Sequence, residues 1–193
     1  MGYFHVYTKG LEDRLIFSDR EDFIAGMNLL AVICFGSNVR LLAFVLMSNH
    51  VHFVVHGQMP SCKDFILRYK NLTGKYIYSR YGIKGHTHTL PAEIIRIDTP
   101  DRLLATLAYI DRNPIVAGWR MMPDEYRWGV SRLMFREQRG RESLRKLDTF
   151  SMREQGVLLG THVRLPQDWR VDESGMLDVR CFVDVAFLEK LFR

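Results

Sequence analysis

Cysteine is scarce in this chain: Cys34, Cys62 and Cys181 are the only three among 193 residues, and they lie far apart. An odd, scattered set makes neither a C-x-x-C metal pattern nor a disulfide framework, which points to a reducing compartment. Long apolar runs are missing as well. No segment reaches the ~18 residues that a membrane span requires, and the N-terminus carries no signal-peptide pattern, so a cytoplasmic protein with no membrane partner is expected. Internal repeats and low-complexity tracts are absent, which argues against a solenoid or a disordered array.

What is present is enough for one good core with an extension, since 47% of the residues are hydrophobic. The net charge of +5 and a sequence pI of about 9.2 suit a polyanionic partner without identifying one. Residues 3–8 alternate as a strand does. Residues 19–35 carry apolar side chains at helical steps behind a capping Asp19, and 39–47 and 50–56 read as two strands of a hairpin turning at Ser48-Asn49. A second helix follows, with Ser61 and Asp64 spaced as a capping box and Gly82 as its stop, then a short strand over 94–97. The order βαββαβ predicts an α+β fold: a ferredoxin-like antiparallel sheet with helices on one face, and a further helix beyond it.

Within the hairpin, His50-Val51-His52 is the most informative run. Alternation on a strand puts both imidazoles on one face and sends Val51 and Phe53 into the core. Two adjacent imidazoles are half of a divalent-metal site, although the pair also reads as two rings on a half-solvated strand. The later helix opens at Thr99-Pro100-Asp101, and Leu103, Leu104, Leu107 and Ile110 are expected to form its buried stripe. Tyr109 and Asn113, four residues apart, share another of its faces. A phenol and an amide there could supply a nucleophile and a third ligand. Asn113 before Pro114 reads equally well as the N-cap of a new helix. His86 and His88 form a rival pair, but in a loop that would not hold both rings.

The ordered set Tyr3-His5-Val6, Val45-Leu46-Met47-Ser48-Asn49-His50-Val51-His52, Tyr109-Ile110-x-x-Asn113-Pro114-Ile115-Val116-Ala117-Gly118 and Tyr126-Arg127-Trp128-Gly129-Val130-Ser131 resembles the tyrosine HUH transposases of the IS200 type. Within them it is most similar to the branch associated with repetitive extragenic palindromes. The resemblance spans about the first 135 residues. Ser48 stands where many relatives carry Pro, and residues 85–91 differ from the more basic, aromatic stretch usual there.

The resemblance implies a catalytic domain over residues 1–135, and the basic run without an apolar stripe that follows reads as a linker leading into a C-terminal extension, together 136–193. The resemblance implies Tyr109 as the nucleophile on its own helix, and His50, His52 and Asn113 as ligands of a divalent metal, Mg²⁺ or Mn²⁺. It implies single-stranded DNA flanking a hairpin as substrate, cut and rejoined through a 5′-phosphotyrosine bond, and it allows a homodimer. Arg139, Arg141 and Arg145 in the basic stretch are expected to meet DNA phosphates, although the stretch reads equally well as a solvated linker. A catalytically silent relative that binds hairpins as a regulator is the competing class. An unrelated RNA-binding ferredoxin-like domain would leave His-x-His and Tyr-x-x-x-Asn unexplained.

Overall fold

Alternating side chains split the first strand into two faces, and that division organises the chain. The structure, a computed structural model, describes residues 1–11, 13–118, 122, 125–131 and 144–191. Strand β1 (Gly2–Thr8), helix α1 (Arg20–Phe35), strands β2 (Arg40–Leu46) and β3 (Val51–Gly57), helix α2 (Met59–Tyr81) and strand β4 (Ala92–Ile97) follow one another in the expected order. The four strands form one antiparallel sheet ordered β2-β3-β1-β4, the arrangement of a ferredoxin-like α+β fold.

Register fixes which side chains share a face. Val6 lies opposite Phe53 and Phe4 opposite Val55, and these four are buried under α1 and α2. Phe53 meets the rings of Phe65 and Tyr69 on α2 edge-on, at 5.3 and 5.1 Å between centroids. Burying a ring of that size contributes about 1.5–3 kcal/mol. The other face carries Tyr3, His5, Tyr7, His52 and His56, because His52 lies opposite Tyr7 and His56 opposite Tyr3. That face is not left open. Helix α3 (Pro100–Val116) covers part of it, burying Leu103, Leu107 and Ile110.

Two helix boundaries differ from the sequence expectation. Helix α2 begins at Met59-Pro60, with Gln58 at its N-cap, so Ser61 and Asp64 lie inside the first turns and form no capping box. Proline at the first or second helical position has no N–H to leave unpaired, and it starts the helix earlier. Helix α3 begins at Thr99 as expected, with the Thr99 hydroxyl accepting from the Arg102 N–H at 3.2 Å. It does not stop at Asn113: Pro114 lies within it, so Asn113 is an interior helical residue and not an N-cap.

The extension adds strand β5 (Arg145–Lys146), helix α4 (Met152–Leu159), strand β6 (Arg170–Val171) and helix α5 (Val185–Leu191). The final helix starts at Val185, three residues into the apolar run that opens at Phe182. Val183 bridges to Leu41 on β2, and the Asp184 carboxylate accepts from the Phe187 N–H at 3.1 Å, which sets the start of α5. Gly129 bridges to Val45 on the same edge strand, so both segments shield the outer edge of β2 from stray pairing. Asn28, buried on α1, holds the extension by donating to the Leu158 and Gly175 carbonyls and accepting from the Leu177 N–H, each at 2.9 Å. Leaving such buried backbone groups unpaired would cost about 1–3 kcal/mol apiece.

Arg127 and Asp172 form a second tie, 2.5 Å apart. Burial pushes the Asp172 carboxyl up. Bonds from Ser174 and the Met176 N–H, together with the Arg127 charge, outweigh it and hold the group below the usual carboxylate range. A depressed carboxylate contributes stability that is present above its unfolded pKa of ~3.9 and is lost as pH falls through the lower folded value. Asp172→Asn is therefore expected to cost about 1–2 kcal/mol at neutral pH, and urea melts should show that gap closing at pH 3. An equal gap at both pH values would mean the charge is not what holds the tie.

Candidate functional site

His52 is fixed from both sides, since β3 pairs with Val45 on β2 and Tyr7 on β1 at this position. Its side chain is 4% exposed. His50 stands just before β3 in the turn, whose geometry is pinned by the backbone. The Ser48 carbonyl accepts from the Ile16 and Phe17 N–H groups at 2.6 and 2.9 Å, and the Thr8 hydroxyl accepts from the Val51 N–H at 3.1 Å. The turn is thus held firmly with Ser48 in place of proline. The two imidazoles share a face as expected, with centroids 5.0 Å apart and rings nearly perpendicular.

Asn113 reaches the same place from α3. Its Nδ2 donates to the Tyr109 carbonyl at 2.9 Å, which leaves Oδ1 facing His50 Nε2 at 3.4 Å. Asn49 settles the proton on His50: Asn49 Nδ2 donates to the Leu11 carbonyl at 3.3 Å, so its Oδ1 is the atom 2.7 Å from His50 Nδ1. Burial lowers the His50 pKa, opposed by the contact with Asn113, so the ring is neutral at pH 7 and its one proton sits on Nδ1. In that tautomer His50 Nε2 turns a lone pair toward Asn113 Oδ1. That is unfavourable by itself and suited to a cation. Adjacent ligands of an octahedral divalent ion lie about 3 Å apart, close to what is seen here.

His52 completes the donor set. Burial, followed by the charges of His50 and His5, takes its pKa down to about 3, so this imidazole too keeps a lone pair for a metal at neutral pH. Among the described residues no three His, Cys, Asp or Glu side chains gather as a metal cluster, and the third donor here is the Asn113 amide. Two neutral imidazoles and an amide would leave a divalent ion its full charge. The residues fit such an ion.

Tyr109 stands over the histidines of its own chain. Its ring meets His52 edge-on at 5.5 Å and His5 at 6.1 Å, while 53% of the residue remains exposed. Helix periodicity explains the split, since Ile110 and Asn113 take the buried stripe and Tyr109 falls at its rim. No other tyrosine of the described chain is so placed. Tyr7 stacks beside His52 at 5.3 Å, but its hydroxyl donates to Glu93, which also pairs with Lys9 at 2.5 Å. The Glu93 bond raises the Tyr7 pKa to about 12. Tyr76 and Tyr81 lie on α2, across the sheet, and donate to the buried Asp22.

The remaining expected residues are dispersed. His86 Nε2 contacts the Leu15 carbonyl, and Thr87 donates to the Lys70 carbonyl at 2.6 Å, so residues 85–91 pack against α2. Arg139 and Arg141 lie outside the described residues. Arg145 pairs through β5 with β6, its guanidinium 4.2 Å above the Phe150 ring, in a ribbon that joins Trp169 near the end of α1. The structure does not bring Arg145 to the histidines. On α2, Arg80 binds Asp19, Glu21 and Asp22, and Arg68 donates to the Gly36 carbonyl at 2.5 Å. Tyr126 and Trp128 serve the core: Tyr126 donates to the Leu46 carbonyl at 2.7 Å and Trp128 stacks on Phe23 at 4.9 Å. His5 and Tyr7 flank the site unforeseen as a pair, because only the β1–β3 register places them there.

No family model matches the sequence, and no curated protein does. Among solved structures, the chain is similar to that of a REP-associated tyrosine transposase bound to a REP hairpin. The likeness has 12% sequence identity and a TM-score of 0.49, and covers 66% of this chain and 75% of the other. No helix among the described residues is long and apolar enough to cross a membrane.

Proposed function

We propose that this protein is a tyrosine HUH endonuclease and strand transferase that cuts and rejoins single-stranded DNA beside a hairpin, as transposases of this kind do. The observation that carries the reading is the convergence of an exposed Tyr109 with the facing lone pairs of His50 and Asn113 and the neutral His52. A divalent ion, Mg²⁺ or Mn²⁺, held by His50, His52 and Asn113 would polarise the scissile phosphate and offset the charge that develops on it.

The chain's own residues supply the rest. Tyr109 attacks phosphorus through its phenolic oxygen, forming an O–P bond as the bond from phosphorus to the 3′ oxygen breaks. The phenolic proton ends on the departing 3′-OH. One ester replaces another, so reversal can join strands without a nucleotide cofactor. Asn113 links the two roles, since it binds the Tyr109 carbonyl while offering its oxygen to the metal. Tyr109 and Asn113 therefore move together on one helix turn. The net charge of +5 suits the polyanionic substrate.

The test is a pool of labelled DNA hairpins with randomised single-stranded flanks, incubated with the protein and Mn²⁺ and run on a denaturing gel. A covalent protein–DNA adduct is expected from the flanked hairpins, with none from blunt duplexes of equal phosphate count. Failure of the entire pool to give an adduct would overturn the reading.

A further inference from the structure

His5 belongs to the first strand, and no spacing rule ties it to the His-x-His run. The sheet does: β1 pairs with β3, Tyr7 opposite His52 and His5 opposite Val54, which sets His5 diagonally beside His52 on one face. Their rings lie 5.1 Å apart and 26° from parallel, with His5 Nε2 3.0 Å from His52 Nδ1. We propose that His5 is a positioning residue for the candidate metal centre, accepting the Nδ1–H of His52 and so keeping the Nε2 of His52 bare for the ion. This inference rests on the metal-assisted reading above.

Two neutral rings can share that contact in only two ways. If His5 donates, His52 Nδ1 accepts and the single proton of His52 must sit on Nε2, which ends its use as a ligand. If His52 donates, Nε2 carries the lone pair. The second arrangement alone is compatible with a metal at His52. His5 itself is not a ligand, because its Nε2 is engaged at the edge of His52 that bears Nδ1. Tyr7 stacks on His5 at 4.7 Å as well as on His52, which stops either ring from turning away. The arrangement matches what Asn49 does for His50: each imidazole has a partner at Nδ1, which frees Nε2. Partners of this kind commonly change metal affinity by about 10- to 100-fold when removed.

Two variants test this. His5→Gln keeps an acceptor oxygen at similar reach, and His5→Phe keeps a ring to stack on Tyr7 but accepts nothing. Nitrogen-15 NMR of the metal-free proteins reads the His52 tautomer, and calorimetry reads Mn²⁺ affinity. His52 should carry its proton on Nδ1 in the wild type and in His5→Gln, and should mix tautomers in His5→Phe. The Kd for Mn²⁺ should rise about 10- to 100-fold in His5→Phe and stay close to wild type in His5→Gln. A wild-type His52 protonated on Nε2 would overturn the proposal, as would His5→Phe binding Mn²⁺ as tightly as wild type. If the wild type bound no Mn²⁺, the metal-assisted reading would fall by itself. The tautomer would then decide the role of His5: a shift in His5→Phe supports it and an unchanged tautomer refutes it. The wild-type spectrum decides the matter even if His5→Phe does not fold.

Discussion

Tyr109→Phe is expected to abolish the covalent adduct and leave hairpin binding within a few-fold of wild type. The substitution removes one oxygen. It keeps the ring that meets His52 and His5 edge-on, and the residue is half exposed, so the fold should change by less than ~0.5 kcal/mol. Among the described residues no second phenol stands at this place. Tyr7 is committed to Glu93 and holds its proton to about pH 12. Tyr76 and Tyr81 serve Asp22 beyond the sheet. Loss of rate without loss of binding is the signature of a group that acts only in the chemical step. An adduct that persists in Tyr109→Phe would remove Tyr109 from the mechanism, and peptide mapping of that adduct would name the true nucleophile.

How much of this was legible in the sequence depends on whether a feature is local. The faces of β3 follow from strict alternation, so Val51 and Phe53 in the core and His52 opposite could be read directly, and His50 keeps the same side from the turn that precedes the strand. The buried stripe of α3 was legible at Leu103, Leu107 and Ile110 but not at Leu104, which the same spacing included and which faces solvent at the stripe's rim, 42% exposed. Asn113 was ambiguous because Asn-Pro serves both to cap a helix and to sit within one. The bond from its side chain to the Tyr109 carbonyl exists only in the folded helix. Pro60 moved the start of α2 ahead of a pattern that looked like a cap. Tyr7 was invisible as a site residue, and His5 could reach the site only on the condition that β1 lies beside the hairpin, since their place depends on which strands pair and in what register. The extension was least legible. Its buried apolar side chains, Leu147, Val171 and Leu177 among them, come from short irregular segments, and its polar ties such as Asn28 and Asp172 are single, so neither imposes a period on the sequence.

The second large effect concerns the metal. His50→Ala or His52→Ala should remove Mn²⁺ binding in calorimetry and abolish cleavage, because each deletes one of three donors and water cannot supply an imidazole's basicity. The two differ in stability. His52 is buried against β1 and β2, so its loss should cost about 1–3 kcal/mol. His50 faces another acceptor at Asn113 in the metal-free protein, so removing it relieves that clash while losing the Asn49 bond, and the net change should be small. Asn113→Ala should weaken binding less, since water can replace one neutral oxygen. It should also slow cleavage at saturating Mn²⁺, because the tie to the Tyr109 carbonyl is lost with it. His86→Ala and His88→Ala should leave Mn²⁺ affinity unchanged, since the His86 ring is occupied at the Leu15 carbonyl and His88 is exposed. Thermal melts of each variant separate lost ligands from lost fold. Full Mn²⁺ affinity in a folded His50→Ala/His52→Ala double variant would sink the site, and with it the account of why two lone pairs face each other between β3 and α3.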